Sequence, residues 1–436
     1  MGRSLDGLFS AIYHRFAFLN IDSDEIGIGA DETNRFYTYD IGISGLNDLC
    51  TNGTYSGGSY YYNICADTAK KIDTSDYENV FDTLRSSAPS VILWPATDTV
   101  DIPPVFFEES PDPLPGISVS GYPVSAEFNT NIFPYAIQIN RFELYDVETE
   151  SALPLWTTMS AQNDPNSHFT DKQFAIFPRN RLEWGRTYYA VMEYTHNGIT
   201  TQKGWCFSIR SLDTNASRFY RVAEQSATLD VLGDTSYAVY LAPLNENDTF
   251  TGYTISSTAN ISYQTIDRNT LYVTLSGNNG EYAEFSFNNN RTVRLTIASN
   301  DTAQAPKATA CTDYTFIDTD EDGTIDMADS DDDNDGVYDI QDAFPLDPNE
   351  WSDFDNDGVG DNADRDDDND GIDDTTEIAL GLNPKNAADG LADSDGDGFN
   401  NTLEIMVGTD FHNAADKPAY TPISNGDVTL FVPYRP

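Results

Sequence analysis

The chain has 436 residues, 39% of them hydrophobic and 12% aromatic, enough for two to four domains with real cores and too aromatic for general disorder. Its 23 basic residues stand against 72 acidic ones, a net charge of −49, which excludes a nucleic-acid binder held by a basic face, because phosphate would be repelled. No apolar run reaches the roughly 18 residues of a membrane-spanning helix.

In chain order, LDGLFSAIYHRFAFL comes first and spaces Leu5, Leu8, Phe9, Ile12 and Phe16 as an amphipathic helix does. Arg3, His14 and Arg15 interrupt any apolar core of a secretion signal, and no small-residue cleavage site follows. If the protein is exported, Met1 is therefore expected not to be the start of its natural precursor. Strand-like EIGIG and RFYTYDIGI follow the helix. From ISVSGYPVSAEF to VRLTIA the pattern is β: short β-branched and aromatic runs between Gly, Asn, Asp and Pro clusters. Several alternate as half-buried antiparallel strands do. A break near 210–217 separates two sets, each roughly 90 residues, the size of a β-sandwich. The segment 301–312 is small and polar with one Pro and is expected to be a linker.

Four cysteines allow three pairings. Cys50 and Cys65 are 15 apart and are expected to pair; Cys206, beside Trp205, reads as a buried strand residue, with a bridge to Cys311 as the alternative. With four histidines there is little material for acid–base chemistry, and no nucleophile elbow, phosphate loop or HExxH occurs, so the chain is not expected to be an enzyme.

Between Asp313 and Lys417 the charge concentrates: 34 acidic and three basic residues carry −31 of the total −49. A twelve-residue unit recurs there five times. Positions 1, 3 and 5 are Asp318, Asp320 and Asp322; Asp331, Asp333 and Asp335; Asp353, Asp355 and Asp357; Asp366, Asp368 and Asp370; Asp393, Asp395 and Asp397. Position 6 is always Gly, at 323, 336, 358, 371 and 398. Position 9 is Asp326, Asp339, Asp361, Asp374 or Asn401; position 12 is Asp329, Asp342, Asp364, Glu377 or Glu404. Each of these residues is expected to offer an oxygen to a cation. Three acids at alternate positions converge on one ion only if the backbone turns sharply after them, and Gly supplies that turn. Oxygen-only donors fit Ca²⁺ better than Mg²⁺, which keeps its waters, or Zn²⁺, which wants Cys or His. Several Ca²⁺ ions are expected, and without them the region should be extended, since dozens of close carboxylates repel. An apolar residue at position 7 (Val337, Val359, Ile372, Phe399) suggests a thin shared core. Helix-like TTEIALGL and NTLEIMVG follow the fourth and fifth loops, and the 27-residue gap before Asp393 suggests that the last loop is a separate site.

The run from Asp318 to Asp374 resembles thrombospondin type 3 repeats of secreted bacterial proteins, in which the chain wraps around a row of calcium ions; the closing unit from Asp393 is dockerin-like. SAIYHRFAFLNIDSDEIGIG resembles the CAP superfamily (cysteine-rich secretory, antigen 5 and pathogenesis-related proteins), over roughly residues 4–107. That resemblance implies an α-β-α sandwich with a cleft of two His and two Glu. Only His14 is carried over; the partner His and both Glu would fall before residue 1. PDPLPGISVSGYPVSAEFN through WCFSIRS resembles a bacterial Ig-like domain, a spacer or adhesion module.

The expected architecture is multidomain and mainly β. It comprises a partial CAP-like α/β domain (1–107), an Ig-like β-sandwich (111–211), a second β-sandwich (218–300), the linker (301–312), irregular calcium-wrapped repeats (313–417) and a tail with a strand (418–436). The expected role is a secreted structural or adhesive protein of the cell surface or matrix. Its partners would be other extracellular or surface proteins, or itself as a homopolymer. Two alternatives remain. One is a subunit of a calcium-dependent fibre, joined through the C-terminal strand or the N-terminal domain. The other is a CAP-type hydrolase or lipid binder.

Overall fold

The computed structural model describes residues 9–31, 36–107, 109–212, 218–424 and 429–434. The chain is mainly β and divides into two units, residues 1–315 and 316–436.

In the first unit, the N-terminal amphipathic pattern forms the helix Ile12–Phe18; Leu5 and Leu8 lie outside the described residues. Ile12 and Phe16 bury against Phe106, Met159, Phe169 and Phe177. Arg15, one of the charges that break the apolar run, is wholly buried. Its guanidinium donates to the carbonyls of Phe9 and Pro123 and to Ser125 Oγ, and its Cζ lies 4.9 Å from the Tyr122 ring centre. The helix is thereby fixed to the neighbouring β layer. Strands Glu25–Asp31 and Phe36–Gly42 form an antiparallel hairpin. Helices Ser44–Asn52 and Thr74–Ser87 follow, and the Cys50–Cys65 disulfide closes the stretch beside the first, as expected.

Two layers of strands enclose the next core. One orders Ser151–Ala152, Ile137–Asp146, Thr187–His196, Ile199–Ile209 and Thr99–Ile102; the other orders Gln173–Ile176, Val124–Phe128 and Val91–Trp94. Trp205, Phe207, Tyr188, Phe128 and Leu144 fill the space between them. Strands 91–94 and 99–102, which the sequence groups with the N-terminal segment, are thus edge strands of this sandwich. The reason is that VILW is too apolar to leave uncovered and finds the VSAEF strand as an antiparallel partner.

A second pair of four-stranded sheets holds the core of Val239, Leu271, Val273, Phe285, Val293 and Leu295. Several alternating runs were expected to pair antiparallel, and most pairs do. Three pairs are parallel instead: Thr99–Ile102 with Ile199–Ile209, Arg218–Val222 with Ser236–Leu241, and Ser226–Val231 with Thr292–Ile297. In each, the strand added at the edge is not joined to its neighbour by a hairpin, so no turn imposes an antiparallel course. Strand Ile199–Ile209 belongs to the first sandwich and Arg218–Val222 to the second, and residues 213–217 between them lie outside the described residues. The two sandwiches meet at Arg181, whose buried guanidinium pairs with Asp267 at 2.7 Å between the rings of Trp184 and Tyr240.

The segment 301–312 is laid onto these sandwiches. Gln304 bridges to Phe219, and the Thr309 amide and hydroxyl both donate to the Gly185 carbonyl. Cys206 is the buried strand residue that the sequence suggested, and it is bonded to Cys311, the pairing held as the alternative. A strand residue 4% exposed and a chain segment held against the same sheet bring the two sulfurs together, which neither local pattern could show.

The second unit has little regular structure. Short 3-10 turns at Asp326–Ala328 and Asp339–Gln341 start at position 9 of the first two acidic units, and α-helices Asp374–Leu380 and Asn401–Val407 start at position 9 of the last two, where their sequences suggested helices. The C-terminal strand Thr429–Tyr434 pairs antiparallel with Ala419–Ser424 of its own chain. The strand through which the fibre alternative would join subunits is thus already paired on one edge within its own chain.

Candidate metal centres

The second loop shows how the carboxylates are set. Asp331 Oδ2 accepts the Gly336 amide at 3.1 Å, Asp333 Oδ1 accepts that of Asp335 at 3.1 Å, and Asp335 Oδ1 accepts that of Val337 at 2.7 Å. One oxygen of each acid therefore holds the loop. The other oxygens, Asp331 Oδ1, Asp333 Oδ2 and Asp335 Oδ2, are buried with no hydrogen-bond donor. The position-6 amide meets the position-1 carboxylate in every other loop too: Gly323 with Asp318, Gly358 with Asp353, Gly371 with Asp366 and Gly398 with Asp393. So do the bonds from position 5 to 3 and from position 7 to 5.

This winding needs two left-handed residues. The position-6 glycines lie at φ between +91° and +99°. Position 4 is left-handed as well, at Glu321, Asn334, Asn356, Asn369 and Gly396. That second requirement was missed, although Asn at three of the five positions is its readable signal.

The oxygens converge. Asp318, Asp320 and Asp322; Asp331, Asp333 and Asp335; Asp353, Asp355 and Asp357; and Asp393, Asp395 and Asp397 each bring ligand atoms within 4.8 Å of one another. The fourth group is Asp368, Asp370, Glu377 and Asp389. Here Asp366 is absent; its oxygens accept the amides of Asp370 and Gly371, as those of Asp353 and Asp393 accept the matching amides of their own loops. Asp389 replaces it; it lies outside the loop, and no spacing rule could have named it.

Position 9 has another task. Asp326, Asp339, Asp361, Asp374 and Asn401 each accept the amide of position 2 through Oδ1. Their own amides donate to the carbonyl just before position 1. They are clasps that close the loop, and none belongs to the five converging groups. Position 12 divides by residue type. Asp329 and Asp364 turn an oxygen to the amides that begin the next loop, and Asp342 to that of Phe344. Glu377 and Glu404, carried on helices, are fully buried; both Glu377 oxygens and Glu404 Oε2 lack a donor.

These crowded acids are shifted upward. Burial, then Asp339, Asp326 and Asp329, push Asp332 up to about 7; burial, then Asp368, Asp370 and Asp389, push Glu377 up to about 7. Burial is also the first cause raising Asp333, Asp368, Asp370 and Glu404. Buried carboxylate oxygens facing one another without donors suit a hard cation with oxygen ligands, and the donor set contains no nitrogen or sulfur. The position-7 core is thin indeed: Ile372 is buried, Val337 and Phe399 are half-buried and Val359 is exposed. In the first loop Thr324 and Ile325 are buried instead.

In the first unit, His14 is half exposed with Nδ1 3.4 Å from Glu109 Oε2. Glu109 also accepts the Ile12 amide. The acid beside His14 thus comes from residues after it. The expected Cys50–Cys65 bridge closes a stretch that carries the exposed Tyr55, Tyr60, Tyr61 and Tyr62.

No family model matches this chain, and no curated protein does. Among solved structures it is similar to an endo-fucoidan hydrolase of glycoside hydrolase family 107 at 12% identity, TM-score 0.15, over 37% of this chain and 23% of that one. It is also similar to domains 4 and 5 of the S-layer protein SbsC (11%, TM-score 0.15, 48% and 98%) and to zebrafish RET cadherin-like domains 1 to 4 (12%, TM-score 0.13, 38% and 42%). At such identities and TM-scores these likenesses carry no argument about what the chain does.

Proposed function

We propose that the protein is an extracellular calcium-binding structural or adhesive protein, without enzymatic activity, whose acidic unit folds around several Ca²⁺ ions. The observation that carries this reading is the hydrogen-bond scheme repeated in five loops, which ties the acids to backbone amides and leaves at least one carboxylate oxygen of each loop buried and without a donor. Asp318, Asp320 and Asp322, and the converging acids of the other loops, would hold the ions, with Glu377 and Glu404 closing the fourth and fifth. Bound Ca²⁺ supplies the positive charge that the converging carboxylates lack. Extracellular calcium modules work at about 10⁻⁴–10⁻³ M, a concentration the cytosol does not reach. The two disulfides agree with an oxidising compartment. The two sandwiches, joined by a buried ion pair and a covalent strap, would serve as a stiff carrier for contacts with other surface proteins or further copies of the chain.

Calorimetric titration with CaCl₂, reversed with EGTA and paired with small-angle scattering, tests this. Saturable binding of several ions with compaction is expected. Absence of binding at millimolar Ca²⁺ would refute the reading.

A further inference from the structure

We propose that the fourth calcium site is completed from outside its own loop by Asp389, and that filling it couples the fourth loop to the fifth. This rests on the calcium reading above and adds to it a cooperative pair.

Four features support it. First, Glu377 is fully buried, with neither oxygen meeting a donor, and its carboxylate converges with those of Asp368, Asp370 and Asp389. Asp370 Oδ2 and Asp389 Oδ1 are buried without donors too, and among the described residues no ion pair reaches the four carboxylates. Second, Asp389 sits on the short helix Ala387–Gly390, in the stretch that leads into the fifth loop. Third, that stretch is attached at both sides. The Asn386 amide donates to Asp368 Oδ2 at 2.7 Å, and Asn401 Nδ2 donates to the Asp389 carbonyl at 2.6 Å. Asn401 is the clasp of the fifth loop, its Oδ1 holding the Ser394 amide. Thr402, on the helix of that loop, donates to the Asp370 carbonyl at 3.3 Å. Fourth, Gly390 is pressed onto the site: a Cβ there would stand 1.7 Å from Asp370 Oδ2. The last loop is therefore not separate, and the 27 residues before it hold the connection.

The physical consequence is directional. Without a cation, four carboxylates repel and push residues 386–390 away. With one, Asp389 is drawn in, Asn401 follows and the fifth loop closes. Coupling of this kind is reciprocal, so an ion in the fifth loop strengthens binding in the fourth.

The test uses the full chain and three amide reporters in calcium titrations followed by NMR: Gly371 for the fourth loop, Gly398 for the fifth and Gly336 for the second. Asp389→Asn is compared with wild type and with Asp410→Asn, an exposed acid outside all five groups. Asp389→Asn should move the Gly371 midpoint to about tenfold or more higher calcium. The Gly398 midpoint should move in the same direction, while Gly336 stays and Asp410→Asn changes neither. Gly390→Ala, which removes no charge, should move Gly371 and Gly398 likewise. An unchanged Gly371 midpoint in Asp389→Asn would overturn the site. A moved Gly371 with an unmoved Gly398 would overturn the coupling. A wild type with no calcium response would instead overturn the calcium reading itself, and with it this inference.

Discussion

Chelation of calcium should abolish the cooperative unfolding of residues 316–436 and leave that of residues 1–315 in place. Among the described residues, the acidic unit buries four apolar side chains, Ile325, Ala328, Ile372 and Phe411, whereas each sandwich core holds 18. It cannot rely on the hydrophobic effect. With five sites, 1 mM ion and a Kd near 10⁻⁴ M, each site contributes about 1.4 kcal/mol and all five about 7 kcal/mol. That is comparable to the whole net stability of an ordinary domain. Scanning calorimetry in CaCl₂ should show two transitions, and in EGTA only that of the sandwiches. Acid should partly substitute for the ion. Asp332 and Glu377 titrate near 7 in the ion-free fold, above the ordinary carboxylate range, so the folded state binds more protons than the unfolded one below that pH. In EGTA, stability of the acidic unit should therefore rise as pH falls from 7 toward 5 and be lost as it rises again. Two transitions in EGTA at neutral pH, at the temperatures seen with calcium, would refute the reasoning.

Three further outcomes are expected. Glu127 is 8% exposed, its Oε2 has no donor, and burial pushes it up to about 8. Its contribution is full below the ordinary carboxylate range and is lost as pH rises to about 8, so Glu127→Gln should unfold at higher urea than wild type at pH 8.5 and lose that advantage at pH 4.5; an equal difference at both would contradict this. The Cys206–Cys311 bridge spans 105 residues, and replacing both by Ser should cost the first unit about 4–5 kcal/mol in urea unfolding, while a loss below about 1 kcal/mol would contradict the chain-entropy account. Gly336→Ala meets no steric obstacle but sits at φ +95°, so it should lower the stability of the acidic unit in calcium by about 1–2 kcal/mol; an unchanged midpoint would deny the left-handed requirement.

The acidic loops were legible because every bond that shapes them is local. Position 1 meets 6, position 3 meets 5, 5 meets 7 and 2 meets 9, so the order of residue types along twelve positions fixes the winding. The same holds for the alternating strands, whose faces follow from a period of two, and for the pairing of Cys50 with Cys65 over a short gap. Residue type alone did not assign the tasks within a loop: position 9 offers the same carboxylate as position 3, yet it clasps backbone. Partners far apart in the chain left no pattern. Asp389 reaches the fourth loop, Cys311 reaches Cys206, VILW becomes an edge of the next sandwich, and segment 301–312 becomes a strap. Local spacing determines how a loop turns; only the folded packing decides which of its acids converge and which distant oxygen, sulfur or strand fills the gap left beside it.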